Sequence, residues 1–335
     1  MGKVRLSASR IDTFLMCSWL YFCKYILKIP DTSNDGARRG SVTHIILEVL
    51  LNPRHKHHYD KIIKDRTCKG NEAVWRLICW QARKEELEGE ENLDLVDDFI
   101  MIGLSRDFFG DKFTKEILPE KMYEFRGKGN GKDYFIVAKI DKIFVKEHGE
   151  GTFIEIVDYK TSSKKFEGKK INFNIQEFVY TLAAKKMYPK AKGHELSFLF
   201  LKFPKDPVVS STSISDIELD GFEYYLTDLQ SLVDDFSEDS ASNNFAASKG
   251  FPKPDEGFCG LLKCGRAKKL GQLKKDGSLM YHCEAKFPFT YYVAEKKGKP
   301  IRSAFLKANL TVKKGEKIVK KEYKGCKYFN MRNYQ

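Results

Sequence analysis

The spacing of apolar positions changes character several times along the chain. From Ser7 to Tyr25, in SASRIDTFLMCSWLYFCKY, apolar and aromatic residues recur at roughly helical intervals behind a serine that suits a helix start. A polar loop, DTSNDGARRG, leads into SVTHIILEVLLN, which reads as a buried helix bearing one histidine and one glutamate. Residues 53–120 read as further helices with acidic and basic faces. The period then falls to two. KMYEFRGKGNGKDYFIVAKIDKIFVKEHGEGTFIEIVDYKTS alternates and holds two turn signals, Asn130-Gly131 and Gly149-Glu150-Gly151, which predict a meander of three antiparallel strands. NFNIQEFVYTLAAKKMYP returns to helical spacing, with Ile175, Phe178, Val179, Leu182 and Ala183 on one side, and stops before Pro189. HELSFLFLKF reads as a buried strand and GFEYYLTDLQSLVDDF as a helix.

This order predicts an α/β protein with a mixed central sheet flanked by helices. The expected divisions are an N-terminal helical region over 1–120, a core over 121–236, a Ser/Asn/Pro-rich linker over 237–257 and a basic, cysteine-bearing region over 258–335.

Composition narrows the class. The 335 residues are 42% hydrophobic, enough for one large or two smaller cores. No run reaches the ~18 apolar residues of a membrane span, so no membrane partner is expected. The opening MGKVRLSASRIDTF lacks the apolar stretch of a secretory signal and fits a myristoylation pattern only loosely. A cytoplasmic or nucleoid-associated location follows, and a viral source is compatible with it. The net charge of +13, from 59 Lys+Arg against 46 Asp+Glu, favours a polyanionic partner, nucleic acid first, over a merely lysine-rich surface. The charge is segregated: residues 249–335 are basic, whereas Glu85 to Asp98 is acidic. With eight cysteines and no export signal, metal binding or plain burial is expected rather than disulfides, and Cys79 reads as helix core.

The chemistry starts at IEIVDYKTSSKK. Side chains alternate along a strand, so Asp158 and Lys160 point the same way. Alone they make either a surface ion pair or a metal ligand beside a cation. Asp141, between Ile140 and Ile143 on the preceding strand, is costly to bury unless paired or metal-bound. The two carboxylates can converge at one end of the sheet, as hard divalent cations require, and the competing reading is a structural Asp–Lys pair. His44 on its apolar helix is by itself more often a core residue than a ligand. Glu48, four residues on, shares its face, and an imidazole would bias a site toward Mn²⁺ over Mg²⁺.

Four patterns occur in order: G-x-x-x-H at Gly40 and His44, I-D at Ile140 and Asp141, D-Y-K-T at Asp158 to Thr161, and Q-x-x-x-Y at Gln176 and Tyr180. Together with the opening LSASRIDTFLMCSWLYFCKY they resemble the RecB-family branch of the PD-(D/E)xK nucleases, including CRISPR-associated and phage RecB-like exonucleases with an iron–sulfur cluster. The resemblance covers about residues 5–265. It implies a restriction-endonuclease-like fold in which His44, Asp141 and Asp158 hold Mn²⁺ or Mg²⁺, with the Tyr159 carbonyl joining. Lys160 would orient or deprotonate the attacking water and offset transition-state charge. Gln176 and Tyr180 would face the site and touch DNA. Glu124 is expected in a supporting role, Glu48 and Glu155 are weaker candidates, and Glu155 is placed on the metal face. Ala138 stands where the family usually has a glycine.

The implied activity is metal-dependent hydrolysis of DNA, exonucleolytic, on single strands or ends, with a helicase or recombination partner. The alternatives are a non-catalytic DNA-binding or scaffold protein on the same fold and an RNA-processing nuclease. The resemblance also implies a [4Fe–4S] cluster on Cys17, Cys259, Cys264 and Cys283. The 18 residues between Cys264 and Cys283 are wider than the family's spacing and read as an inserted basic hairpin turning at Asp276-Gly277. A zinc site on Cys259, Cys264 and Cys283 with His282 or Cys326, and unliganded cysteines, stay open beside it. From residue 284 the tail mixes aromatics with Lys and Arg, which suits single-stranded bases and phosphates or a small β-rich addition.

Overall fold

The computed structural model describes residues 4–31, 34–105, 107–167, 174–211, 213–245, 264–265 and 267–332. By internal contacts the chain divides into two units, Met1–Ala8 with Ser33–Ser231 and Ser9–Thr32 with Leu232–Gln335. The first unit thus joins most of the expected helical region to the core, whereas Ser9–Thr32 group with the C-terminal residues.

The chain opens with α1 (Ala8–Met16) and α2 (Ser18–Tyr21), which runs into a π-helical turn over Phe22–Leu27. The single helix expected here is broken at Cys17, whose φ of −156° and ψ of 104° are extended. The first unit then builds α3 (Asp35–Leu51), α4 (Lys56–Asp65), α5 (Glu72–Lys84) and α6 (Glu90–Leu104). Asn34 caps α3 by accepting from the Ala37 N–H, and the helix stops at Asn52, before Pro53. Its sequence buries Val42, Ile46, Leu47 and Leu50 along one side.

Next come β1 (Thr114–Gly129), β2 (Lys132–His148), β3 (Gly151–Lys160), α7 (Ile175–Met187), β4 (Gly193–Phe200), β5 (Val208–Ser210) and α8 (Asp216–Asp234). The five strands form one sheet in the order β1-β2-β3-β4-β5. The meander β1-β2-β3 is antiparallel as expected, and α7 crosses over to set β4 parallel to β3. The first turn places Asn130 at φ 48° and Gly131 at φ 72°, the left-handed pair that a two-residue hairpin needs. β1 begins seven residues before the expected start, and β5 was not anticipated. One sheet face, with Phe144, Val157, Tyr159 and Leu199, packs under the helices of α3 to α6, and α7 lies against β2 and β4. Each fully buried Ile or Leu in this packing contributes about 1.5–3 kcal/mol.

The second unit contains α1, α2, α9 (Glu238–Ala241) and a three-stranded antiparallel sheet of β6 (Phe289–Lys296), β7 (Lys299–Ala304) and β8 (Lys317–Tyr323), ordered β7-β6-β8, before α10 (Lys327–Arg332). Trp19, Phe22, Cys23, Phe245, Val293 and Tyr323 form its core. The Tyr323 hydroxyl accepts from the Trp19 ring N–H at 2.9 Å and donates to the Ala285 carbonyl at 2.8 Å. Cys79, read as core, is half-buried on α5. No helix among the described residues is long and apolar enough to cross a membrane.

Candidate metal centre

The two hairpin turns fix what meets across the sheet. Gly129 pairs with Lys132, so each step outward sets residues summing to 261 opposite one another; Lys121 with Ile140 and Pro119 with Lys142 bracket Glu120 opposite Asp141. The second turn pairs His148 with Gly151, and the ladder runs to Lys142 with Val157, bringing Asp158 beside Asp141 at the next position. Residues opposite each other share a face. Glu120, Asp141 and Asp158 therefore stand in one row across three strands, with Lys160 one side-chain repeat beyond.

The helix supplies the fourth group. A methyl group added at Gly40 would lie 2.8 Å from the Thr161 hydroxyl, so only glycine lets α3 approach the end of β3 this closely. One turn on, His44 Nδ1 sits 3.2 Å from Asp141 Oδ1, and its ring meets that of Tyr159 edge-on. One ligand atom each from His44, Glu120 and Asp141 lie within 4.8 Å of one another.

The remaining lone pairs are held by an internal network. Asp141 Oδ2 accepts from the Tyr159 N–H at 2.8 Å. Gln176 Nε2 donates to Asp158 Oδ1 at 2.6 Å and to the Tyr180 hydroxyl at 2.7 Å, while Gln176 Oε1 accepts from Lys160 Nζ at 2.7 Å. The Tyr180 hydroxyl donates to the Lys139 carbonyl. An amide can accept from an ammonium through its oxygen while its nitrogen donates to a carboxylate. Lys160 Nζ also lies 2.5 Å from Asp158 Oδ2 as an ion pair.

Burial and charge pull these groups apart. Burial pushes the Asp141 carboxyl up, but the hydrogen bond and charge of His44, with the Tyr159 N–H and Lys160, outweigh it and hold the carboxyl below its ordinary value. Burial pushes the His44 imidazole down, and the bond and charge of Asp141 more than reverse this. Asp158 is pushed up to about 6 by burial, with Lys160 pulling it down and Asp141 pushing it further up. With Asp141 8% and Asp158 2% exposed, such carboxylates are expensive to leave uncompensated. The His44 imidazole with the carboxylates of Glu120 and Asp141, and the buried carboxylate of Asp158 on the next strand, make a donor set that fits a divalent cation of the Mg²⁺ or Mn²⁺ type.

The structure thus brings His44, Asp141, Asp158 and Lys160 together. Gln176 and Tyr180, expected to touch DNA, are turned into the network; Tyr180 is 6% exposed. Glu124 pairs with Arg5 at 2.8 Å, and the acid at the site is Glu120, which sequence reading missed. Glu120 also pairs with Lys139 at 2.6 Å. Glu155, expected on the metal face, is an odd-numbered neighbour of Val157 and Tyr159 on the opposite face and pairs with Lys146 at 2.6 Å. Glu48 is pushed above its ordinary value by burial first and then by the charge of Glu120.

In the second unit Cys17, Cys264, Cys283 and Cys326 line one small cavity of about 30 Å³ with Trp19, Leu20 and Phe245. The Cys283 N–H donates to the Cys264 carbonyl at 3.0 Å, which closes the stem of the hairpin between them. Its tip has the expected turn, with Gly277 at φ 80° and Leu273 bridged to Leu279. Cys259 lies outside the described residues. His282 is not among the cavity's lining residues; its ring packs against Phe287.

A model of the PD-(D/E)XK nuclease superfamily matches residues 5–261. One subunit of the ATP-dependent helicase/deoxyribonuclease of Clostridium acetobutylicum is 23% identical over 207 residues, which are 53% of this chain and 17% of that protein. The protein of the same name from Carboxydothermus hydrogenoformans is 26% identical over 202 residues, 53% of this chain and 18% of its own length. The chain therefore spans less than a fifth of either relative. Among solved structures, that of SSO0001 aligns over 68% of this chain and 89% of its own at 13% identity, with a TM-score of 0.27.

Proposed function

The chain belongs to the PD-(D/E)XK nuclease superfamily, and from that premise we propose that it hydrolyses DNA phosphodiester bonds with a divalent cation, as an exonuclease on single strands or DNA ends. The observation that carries the reading is that His44, Glu120 and Asp141 bring ligand atoms within 4.8 Å of one another, with Asp158 next in the row and Lys160 ion-paired to it. His44, Glu120, Asp141 and Asp158 would hold the ion, with the Tyr159 carbonyl as a further oxygen, and the imidazole favours Mn²⁺ over Mg²⁺. When bound, the cation supplies a Lewis acid that polarises the phosphoryl oxygen and eases deprotonation of water.

The chain's own residues do the rest. Lys160, fixed between Asp158 and Gln176, presents a positive charge where negative charge grows on the non-bridging oxygens, and orients the attacking water. Gln176 and Tyr180 are positioning residues: they hold Lys160 and Asp158 in register and free neither for rotation. DNA as the polymer is supported by the net charge of +13 and by relatives named as helicase/deoxyribonuclease subunits, which also support a helicase or recombination partner.

The cavity lined by Cys17, Cys264, Cys283 and Cys326 supports a metal centre with four sulfur ligands, a [4Fe–4S] cluster first and zinc second. Cys326 joins Cys17, Cys264 and Cys283 among the described residues at this cavity, and Cys259 lies outside them. Anaerobic purification followed by a visible spectrum and metal analysis separates the two: brown protein with about four irons per chain supports the cluster, colourless zinc-bearing protein the alternative.

For the nuclease itself, end-labelled single- and double-stranded DNA and matched RNA are incubated with Mn²⁺ or Mg²⁺. The wild type cuts DNA, while Asp141→Ala and Lys160→Ala do not. Equal cutting by Lys160→Ala defeats the proposed mechanism, and cutting of RNA alone defeats the substrate.

A further inference from the structure

We propose that six lysines at one end of the β7-β6-β8 sheet form a binding site for the phosphodiester backbone of DNA, an inference that rests on DNA being the polymer this chain handles. Three of them come from the β6–β7 turn. Lys296 pairs with Lys299 across Lys297 and Gly298, whose φ values of 51° and 75° make the turn a left-handed pair. Asparagine or glycine fills the first of these positions with less strain than lysine does. The other three, Lys313, Lys314 and Lys317, belong to the segment that enters β8 through Gly315 at φ 80°. A methyl group added at Gly315 would lie 3.7 Å from Lys296 Cε, and Lys317 pairs with Glu295, so the two lysine-bearing turns lie against one another.

All six side chains are exposed, and among the described residues none of their ammonium groups has an ion-pair partner. The acids nearest in sequence are engaged elsewhere: Glu295 with Lys321 at 2.6 Å, and Glu316 with Arg302 at 2.6 Å and the Lys313 N–H at 3.0 Å. Across residues 289–324 the sequence has eleven Lys and Arg against three acids. Like charges this crowded repel within a screening length of about 8 Å, and a strand of phosphates relieves that repulsion while releasing condensed counterions. The aromatic residues of the sheet, Phe289, Tyr291 and Tyr323, pack together at its other end. The lysine end therefore offers charge without a stacking platform, which predicts contact with backbone rather than bases, insensitive to sequence and strongly sensitive to salt.

The test is anisotropy of a fluorescein-labelled 30-nucleotide oligothymidine with the full chain in Ca²⁺, over a KCl series. Lys296→Gln, Lys297→Gln, Lys313→Gln and Lys314→Gln together are expected to make the slope of log K against log[KCl] shallower by about 3, near 0.7 per lost phosphate contact. The double variant Lys297→Gln with Lys314→Gln, less disturbing to folding, is expected to give about half of that. Four exposed lysines of the first unit, Lys56, Lys61, Lys64 and Lys115, changed to Gln make the same change in net charge and are expected to move the slope by less than about 1. An unchanged slope in both lysine-end variants overturns the proposal, as does an equal change in the control, which would mean bulk charge alone. Failure of the nuclease reading shows separately, as absence of cleavage by the wild type whatever the slopes.

Discussion

Glu120, Asp141 and Asp158 stand in a row inside the first unit, whereas Lys296, Lys297, Lys299, Lys313, Lys314 and Lys317 crowd one sheet end in the second. Both groups gather like charges, and both await a counter-charge. Asp141 and Asp158 are buried and Glu120 half-buried, and each is already oriented: Asp141 by His44 and the Tyr159 N–H, Asp158 by Gln176 and Lys160, Glu120 by Lys139. The lysines are exposed, and among the described residues no ion pair fixes them. A buried, pre-oriented set can act on a transition state, because it need not reorganise when charge develops. An exposed, unoriented set can only add affinity, screened by salt. The first should govern kcat and the second binding.

The largest effect should come from removing a charge of the buried set. Lys160→Ala and Asp141→Ala should each lower kcat by about 10³ or more, with oligonucleotide binding in Ca²⁺ within a factor of a few of wild type. The four-lysine variant should do the reverse, weakening binding at physiological salt while leaving kcat at saturating DNA unchanged; a fall in its kcat would break the contrast between the regions.

Gln176→Leu sharpens it from within. Leucine fills similar volume yet can neither accept from Lys160 nor donate to Asp158. The expected loss in kcat is about 10–100-fold with little change in KM. Restoration of activity by Gln176→Asn or Gln176→Glu to different degrees would report how far geometry alone matters.

The smallest effect concerns stability. Burial pushes the Glu177 carboxyl, 2% exposed on α7, up to about 7 from its ordinary 4.5. The fold prefers the protonated acid, so the unfolded chain loses its proton first and stability falls as pH rises from 4.5 through 7. Glu177→Gln should therefore be about 3 kcal/mol more stable than wild type at pH 8 and equal to it near pH 4. A variant equally or less stable at pH 8 would refute this, as read by thermal melts at both values.

Much of the site was legible in the chain. The Asn130-Gly131 and Gly149-Glu150 turns fix two registers, and counting outward from them places Glu120 and Asp158 on either side of Asp141. Glu120 lies just outside the alternation that becomes visible at Lys121, although β1 starts at Thr114, so only the register brings it to the site. Parity sets Glu155 on the other face: it is three residues from Asp158, and a strand repeats every two. The inward turn of Gln176 and Tyr180 was not legible, since an amphipathic helix shows which residues lie together but not what their polar atoms meet. The sequence offers Cys326 only as a zinc ligand. Its approach to Cys17 depends on packing within the second unit, between residues more than 300 positions apart, which no local pattern reports. The three strands of that unit match the small β-rich addition that the tail's composition allows, although their lysines mask the alternation of Tyr291 and Val293.

The central claim is that one divalent ion is shared by groups from a helix and three adjacent strands. Anomalous diffraction from a crystal of the full chain soaked in Mn²⁺ tests it most directly. A single strong peak between His44, Glu120, Asp141 and Asp158, lost in Asp141→Ala crystals, is the predicted result; Mn²⁺ absent from that position in the active wild type, or unaffected there by Asp141→Ala, would contradict it.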